Sequence, residues 1–179
     1  YDTLVDEEKF DETDHYIGEL ALGLEKRPHS SREFLAYLGS VIEDEESILH
    51  TAYKMGIPVF SPALNDSSIG IGLTETFHKQ GPGGFTIDPI RDNHEITQIL
   101  ISSEKSGAVY IGGGTPKNWV NDAVVMANYA LHRQKEGHEY AIQITTATPL
   151  DGGLSGSTLG EAQSWGKVYR EAKKATCHV

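Results

Sequence analysis

From Ile57 onward, short runs of β-forming residues alternate with segments carrying helix signals, and this alternation restricts the fold more than any other feature. The runs lie at 57–61 (IPVFS), 85–88 (FTID), 108–111 (AVYI) and 140–145 (YAIQIT), with 174–179 opening a fifth. Between them, 69–79, 92–105 and 116–134 read as helices, the second with a D-x-x-E pair at Asp92 and Glu95 and the third with Pro116 at its first position. Links this short require parallel strands joined by right-handed crossovers. The expected fold is α/β, a Rossmann-like doubly wound parallel sheet with helices on both faces. In such a sheet ligands bind beyond the carboxyl ends of the strands. Those ends are 62–68, Asp88, 112–114 and 146–156, the most polar and glycine-rich loops in the chain, and they are expected to converge.

The N-terminal part is different. Residues 1–28 are acidic, with Phe10, Tyr16, Ile17, Leu20, Leu22 and Leu24 forming a loose helical stripe. Ser30 and Glu33 make a capping box for a helix whose apolar face is Phe34, Leu35 and Leu38. Another helix is expected over 44–55, closed by Gly56. At 179 residues the chain suits one domain, 1–179, with 1–40 as a peripheral helical segment.

Fifteen basic against 26 acidic residues leave a formal charge of -11, which argues against nucleic acid and anionic membranes as partners and favours a cationic substrate or a basic protein. The single cysteine, Cys177, excludes an internal disulfide framework and a cysteine-based zinc cluster, pointing to a reducing, cytoplasmic setting. No apolar run approaches the ~18–20 residues of a membrane span, and no signal-peptide pattern opens the chain. With a start at Tyr1 and a stop inside a strand pattern at Val179, a fragment or a processed chain is expected. The eight histidines make no metal-binding spacing, so no metal is expected, and no G-x-S-x-G elbow supplies a hydrolase nucleophile.

Three constellations carry chemistry. Gly112, Gly113 and Gly114 join a strand to a helix opened by Thr115 and Pro116; this is a tight turn or, through close backbone approach and free N–H groups, a phosphate cradle. Asp66, in N-D-S-S, is a helix cap or a ribose acceptor. The stretch 140–168 runs from a strand, read as buried through Ile142 and Ile144, into a loop with Asp151, Gly152, Gly153, Ser155 and Gly156, and ends on Trp165, Gly166 and Lys167. There Thr158 and Glu161 form a capping box. Glu161 and Trp165 share a helix face, and Gly166 can end the helix and aim Lys167 at the same wall. A carboxylate, an indole and an amine on one wall suit a cationic amine, and a desolvated Lys167 is a candidate imine nucleophile. A solvated lysine after a core tryptophan is the competing reading.

The runs IPVFSPALNDSS (57–68), YIGGGTPKN (110–118) and EAQSWGK (161–167) resemble the deoxyhypusine synthase family, from about residue 39 to 179. The form GGGTPKN with GGLSG is most similar to the bacterial deoxyhypusine synthase-like branch. The resemblance implies an NAD-dependent transfer of a 4-aminobutyl group from spermidine through an imine on a lysine, here Lys167. It implies cofactor contacts for Asp66, Gly112, Gly113, Gly114, Thr146, Ala147 and Asp151. Substrate contacts are implied for Asn118, Gly152, Leu154, Ser155, Glu161 and Trp165. It further implies a homotetramer or pairing with a companion chain. The acceptor is either a small diamine such as putrescine, giving homospermidine, or the lysine of a basic protein, the precursor of translation initiation factor 5A. Three positions depart from the family pattern: Asn118 stands where eukaryotic synthases have histidine, and Ile71 and Leu154 where they have aspartates. These losses from a polycation pocket tilt the expectation toward the small amine. They also leave a non-catalytic NAD-binding regulatory subunit as an alternative, which the intact Lys167, Glu161 and Trp165 oppose.

Overall fold

A computed structural model describes residues 3–179, in two compact units that meet in sequence between Asp92 and Asn93. The first unit contains α1 (Glu7–Leu22), β1 (Pro28–His29), α2 (Ser31–Val41), α3 (Ile48–Met55), α4 (Ser68–Gln80) and β2 (Thr86–Ile87). The Ser30–Glu33 capping box starts α2 as its sequence predicts, and Gly56, with φ of 66°, closes α3. Helix α3 begins at Ile48, capped by Ser47, because the acidic run 43–46 lacks a face to bury.

Phe34, Leu35 and Leu38 of α2 join Ala21, Leu64 and Phe85 in the core of this unit. The helix α1, read from its sequence as peripheral, lies against α4 so closely that a Cβ at Gly72 would strike the Asp14 carbonyl, and Thr76 Oγ1 donates to Gly18 O at 2.8 Å. The strand expected at 57–61 does not form. Ser61 N donates instead to Ser31 Oγ (2.9 Å), so the run docks at the start of α2, and β-propensity without a strand partner leaves it irregular. The pairing that does occur is β1 with β2, parallel, Pro28 opposite Thr86 and His29 opposite Ile87.

Helix α5 (Pro89–Ser102) starts three residues earlier than its D-x-x-E pair predicts. Asp88 caps it by accepting from Ile90 N (2.9 Å) and Arg91 N (3.3 Å). Asp92 is fully buried and accepts from Ser31 N at 2.8 Å, holding the first turn of α2.

The second unit carries β3 (Gly107–Ile111), α6 (Thr115–Val125), β4 (His138–Thr145), the one-turn helix α7 (Gly153–Gly156), α8 (Leu159–Ser164) and β5 (Val168–His178). Helix α6 relaxes into a π-helical turn at Met126–Ala130 and ends four residues before its pattern predicts. The three strands are parallel in the order β3-β4-β5, so the chain forms two separate parallel sheets among the described residues rather than one.

One face of the three-stranded sheet is covered. Ala108, Tyr110 and Ala141 pack with Leu159 and Ala162 of α8 and with Val168, and Val120 of α6 adds to them. Here the strand reading is reversed: Ile142 and Ile144, expected inside, lie on the opposite face, 45% and 37% exposed, while Ala141 and Gln143 point inward. Alternation alone marks two faces of a strand without saying which one the helices cover.

Candidate active site around Lys167

The turn after β3 needs glycine at two of its three positions, since Gly112 and Gly114 have φ of 84° and 78°. Gly112 N donates to Ile144 O (2.7 Å) and its carbonyl accepts from Gln143 Nε2 (3.1 Å), tying the turn to β4. A Cβ on Gly113 would come within 2.8 Å of the Ser155 Cα, so the turn and the 146–156 loop rest directly on one another. Helix α6 follows with no side-chain cap, leaving first-turn N–H groups without an internal partner. At the carboxyl ends of β4 and β5 a cavity of about 100 Å³ is lined by Gln143, Thr145, Ala147, Ser155, Thr176 and His178. A larger cavity, about 450 Å³ and mostly apolar, lies in the first unit between α4 and the 61–65 and 85–89 segments.

Beneath the turn, α6 is pinned to its surroundings by two buried polar groups. Tyr110 Oη donates to Asn121 Oδ1 (2.6 Å), and burial pushes the phenol up to about 12. Lys117 is only 5% exposed; its ammonium donates to Ser157 O, Ser157 Oγ (3.1 Å) and Leu154 O (3.4 Å). Two of these acceptors are carbonyls at the end of α7, Leu154 O also accepting from Ser157 Oγ at 2.8 Å, so the lysine acts as a cap for that turn. Burial holds its ammonium below the usual lysine range, with the Glu161 carboxylate pulling the other way.

Lys167 arrives by a local device that its sequence predicts. Helix α8 is started by the Thr158–Glu161 box and ends with Gly166 at φ 72°, where Gly166 N donates to Gln163 O and Lys167 N to Ala162 O, both at 2.9 Å. This pairing is a Schellman-type end, and it turns Lys167 back toward α6. There Nζ donates to Asn118 Oδ1 (2.9 Å) and pairs with Asp122 Oδ1 (2.7 Å). Asn118 Nδ2 in turn donates to Asp122 Oδ2 (2.8 Å), closing a ring of three side chains. The Lys167 side chain is 15% exposed, and its Nζ lies 6.0 Å from the Trp165 ring centroid, at the outer reach of a cation–π contact.

Asn118, Trp165 and Lys167 therefore meet, as do the glycine turn and Ser155. Glu161 is near in sequence but committed elsewhere: its carboxylate accepts from Thr158 N, which holds it below the usual carboxylate range, and it does not join the amine on one wall. Asp151 caps in the same way, accepting from Thr148 N and Oγ1, and is lowered for that reason. Thr146, Gly152, Leu154 and Ser155 lie on the exposed surface of the loop, and Ala147 is half-buried. Asp66 stands in the first unit, exposed, and the cap of α4 that its position offered is supplied by Ser67, which accepts from Gly70 N. Two residues at the site escape a motif reading, Lys117 and Asp122. The spacing of Asp122, four after Asn118 on one helix face, is the signal that places it there.

The model of the deoxyhypusine synthase family matches residues 1–179, the whole chain. This chain belongs to that family. The family's relatives include a deoxyhypusine synthase-like protein of Coxiella burnetii, 47% identical over 94% of this chain and 49% of its own length. A Methanosarcina acetivorans protein named "Probable deoxyhypusine synthase 2" is 44% identical over 100% of this chain and 52% of its own. A deoxyhypusine synthase-like protein of Chlorobaculum parvum is 42% identical over 94% and 49%. The chain thus spans about half the length of the curated relatives it matches. A crystal structure assigned as a deoxyhypusine synthase of Entamoeba histolytica shares the fold, with a TM-score of 0.60 at 20% identity, over 92% of this chain and 57% of that one. The family's α/β architecture with parallel sheets is the one described above. No helix among the described residues is long and apolar enough to cross a membrane.

Proposed function

We propose that this chain carries the covalent-lysine part of an NAD-dependent aminobutyl transferase, taking its group from spermidine and passing it to an acceptor amine. The observation that carries the reading is Lys167, held mostly buried against Asn118 and Asp122 beside Trp165, in a family chain. NAD, when bound, supplies the hydride acceptor that oxidises the donor amine and the hydride that reduces the transferred group. The uncapped start of α6 fits its phosphates, since its first-turn N–H groups have no side-chain partner, and Gly114 before it, with φ of 78°, lets the backbone approach closely. Asp66, Thr146, Ala147 and Asp151 complete the cofactor contacts by resemblance. By resemblance, Asn118, Gly152, Leu154, Ser155 and Trp165 form the amine pocket, which Glu161 would join by giving up its bond from Thr158 N.

Lys167 contributes its nitrogen as nucleophile and Trp165 an apolar wall with a cation-attracting face. Leu154, in place of a carboxylate, makes the pocket less suited to long polycations and favours a small diamine acceptor over a protein lysine. The domain assignment follows the same reading: an NAD-binding domain of doubly wound, Rossmann-like type, in a homo-oligomer or with a companion chain.

Borohydride reduction in the presence of spermidine and NAD is expected to leave a stable adduct on Lys167, located by peptide mass, and Lys167→Ala is expected to abolish it. A wild-type protein that binds NAD yet forms no adduct would support the regulatory-subunit reading instead. Offering putrescine and the factor 5A precursor separately identifies the acceptor by product mass.

A further inference from the structure

Resting on the reading of Lys167 as the covalent residue, we infer that Asp122 is the positioning residue of this site: with Asn118 it forms an anionic seat that fixes Nζ and stays paired with the cation formed on it. Asp122 matches none of the motif positions, yet it makes the shortest polar contact to Nζ, 2.7 Å. Its second oxygen is spent on the Asn118 amide, so the two side chains orient each other and present one carboxylate oxygen and one amide oxygen to a single ammonium. Both come from α6, whose register is held from behind by the buried Tyr110–Asn121 and Lys117–Ser157 contacts. The seat is therefore anchored through α6, while Lys167 reaches it from the turn just after the glycine-ended α8. A carboxylate here also restores negative charge to an amine pocket that has Leu154 on its neighbouring loop.

The charge balance of the transfer explains why a carboxylate is suited to this place. Once its third proton has passed to water, the neutral Lys167 amine attacks the carbon of a protonated imine. One Lys167 proton moves to the departing amine as that C–N bond breaks. The iminium left on Nζ keeps a single positive charge and one N–H. That N–H can continue to donate to Asp122, whereas the Asn118 oxygen, which uses a second N–H, must let go. Asp122 is thus the constant partner through the exchange and Asn118 the one released.

Two readouts on the purified natural protein test this separately from the transferase reading. In the first, an amine-acylating reagent is applied without donor or cofactor, and each lysine's labelling is followed by peptide mass. Asp122→Asn is expected to raise labelling of Lys167 roughly fivefold, the scale of one lost ion pair. Lys117, buried on the same helix, is expected to remain unlabelled in both proteins and so reports that α6 is intact. In the second, adduct formation with spermidine and NAD is expected to lose its maximal rate while the half-saturating spermidine concentration is unchanged. Unchanged Lys167 labelling would overturn the inference. So would labelling of Lys117 in the variant, or a maximal rate equal to wild type. Should Asp122→Asn fold poorly, Asp122→Ser gives the same two readings. A wild-type protein with no adduct sinks the transferase reading, while the labelling result still decides whether Asp122 seats Lys167.

Discussion

The two faces of the three-stranded sheet differ in a way that runs against residue size. The face under α6 and α8 is built from Ala108, Tyr110, Ala141 and Gln143, while the open face displays Val109, Ile111, Tyr140, Ile142 and Ile144, between 37% and 86% exposed. Alanines lie where helices come close, and the larger Tyr110 and Gln143 there are each tied by a hydrogen bond, to Asn121 and to Gly112 O. A parallel sheet is ordinarily covered on both sides, and its strands then read as continuous apolar runs, which is the pattern of β3. The covered face is tuned for close helix approach and for the site above it, whereas the open face has the composition of an interior surface.

Substitutions on the two faces can break or sharpen this contrast. The largest effect is expected on the covered side: Leu159→Ala, at a residue 3% exposed, should lower unfolding free energy by ~2–5 kcal/mol in denaturant titration. A smaller, pH-dependent effect is expected at His138, buried at the start of β4 with Ser106 Oγ 2.9 Å from Nδ1. Burial holds its pKa below the ordinary imidazole value of 6.5, opposed by the Val120 backbone, so the unfolded chain takes up the proton first. Stability is then fully present above 6.5 and is lost as pH falls through that value toward the folded one. Midpoints measured between about pH 7.5 and 5.5 should fall in the wild type and fall less in His138→Gln. The smallest effect is expected on the open side, where Ile142→Ala should stay within ~0.5 kcal/mol. A loss at Ile142 as large as that at Leu159 would mean that this face is covered in solution.

What could be read without coordinates is what neighbouring residues arrange among themselves. The boxes at Ser30–Glu33 and Thr158–Glu161, the glycine ends at Gly56 and Gly166, and the turn at 112–114 each depend on hydrogen bonds or φ angles within a few residues, and each is formed as predicted. At Glu161 the same locality decides the outcome: the predicted box takes the carboxylate to Thr158 N, against the expectation that it faces an amine beside Trp165. Helix boundaries failed where a distant group intervened. Asp92 serves Ser31 N, 61 positions away, and so Asp88 takes over the start of α5.

By itself the sequence determined the alternating α/β order, the glycine turn, the capped helix that delivers Lys167, and a family resemblance spelled out in short motifs. Only the tertiary structure decided that 57–61 finds no strand partner, that Pro28–His29 pairs with Thr86–Ile87, which face of β4 the helices cover, and that Asp122 meets Lys167. The reason is common to all four. Capping and chain reversal are settled by dihedral preferences and hydrogen bonds over three to five residues, whereas strand pairing, facing and a salt bridge between a helix and the turn after another depend on where distant segments are brought together, and no local preference carries that information.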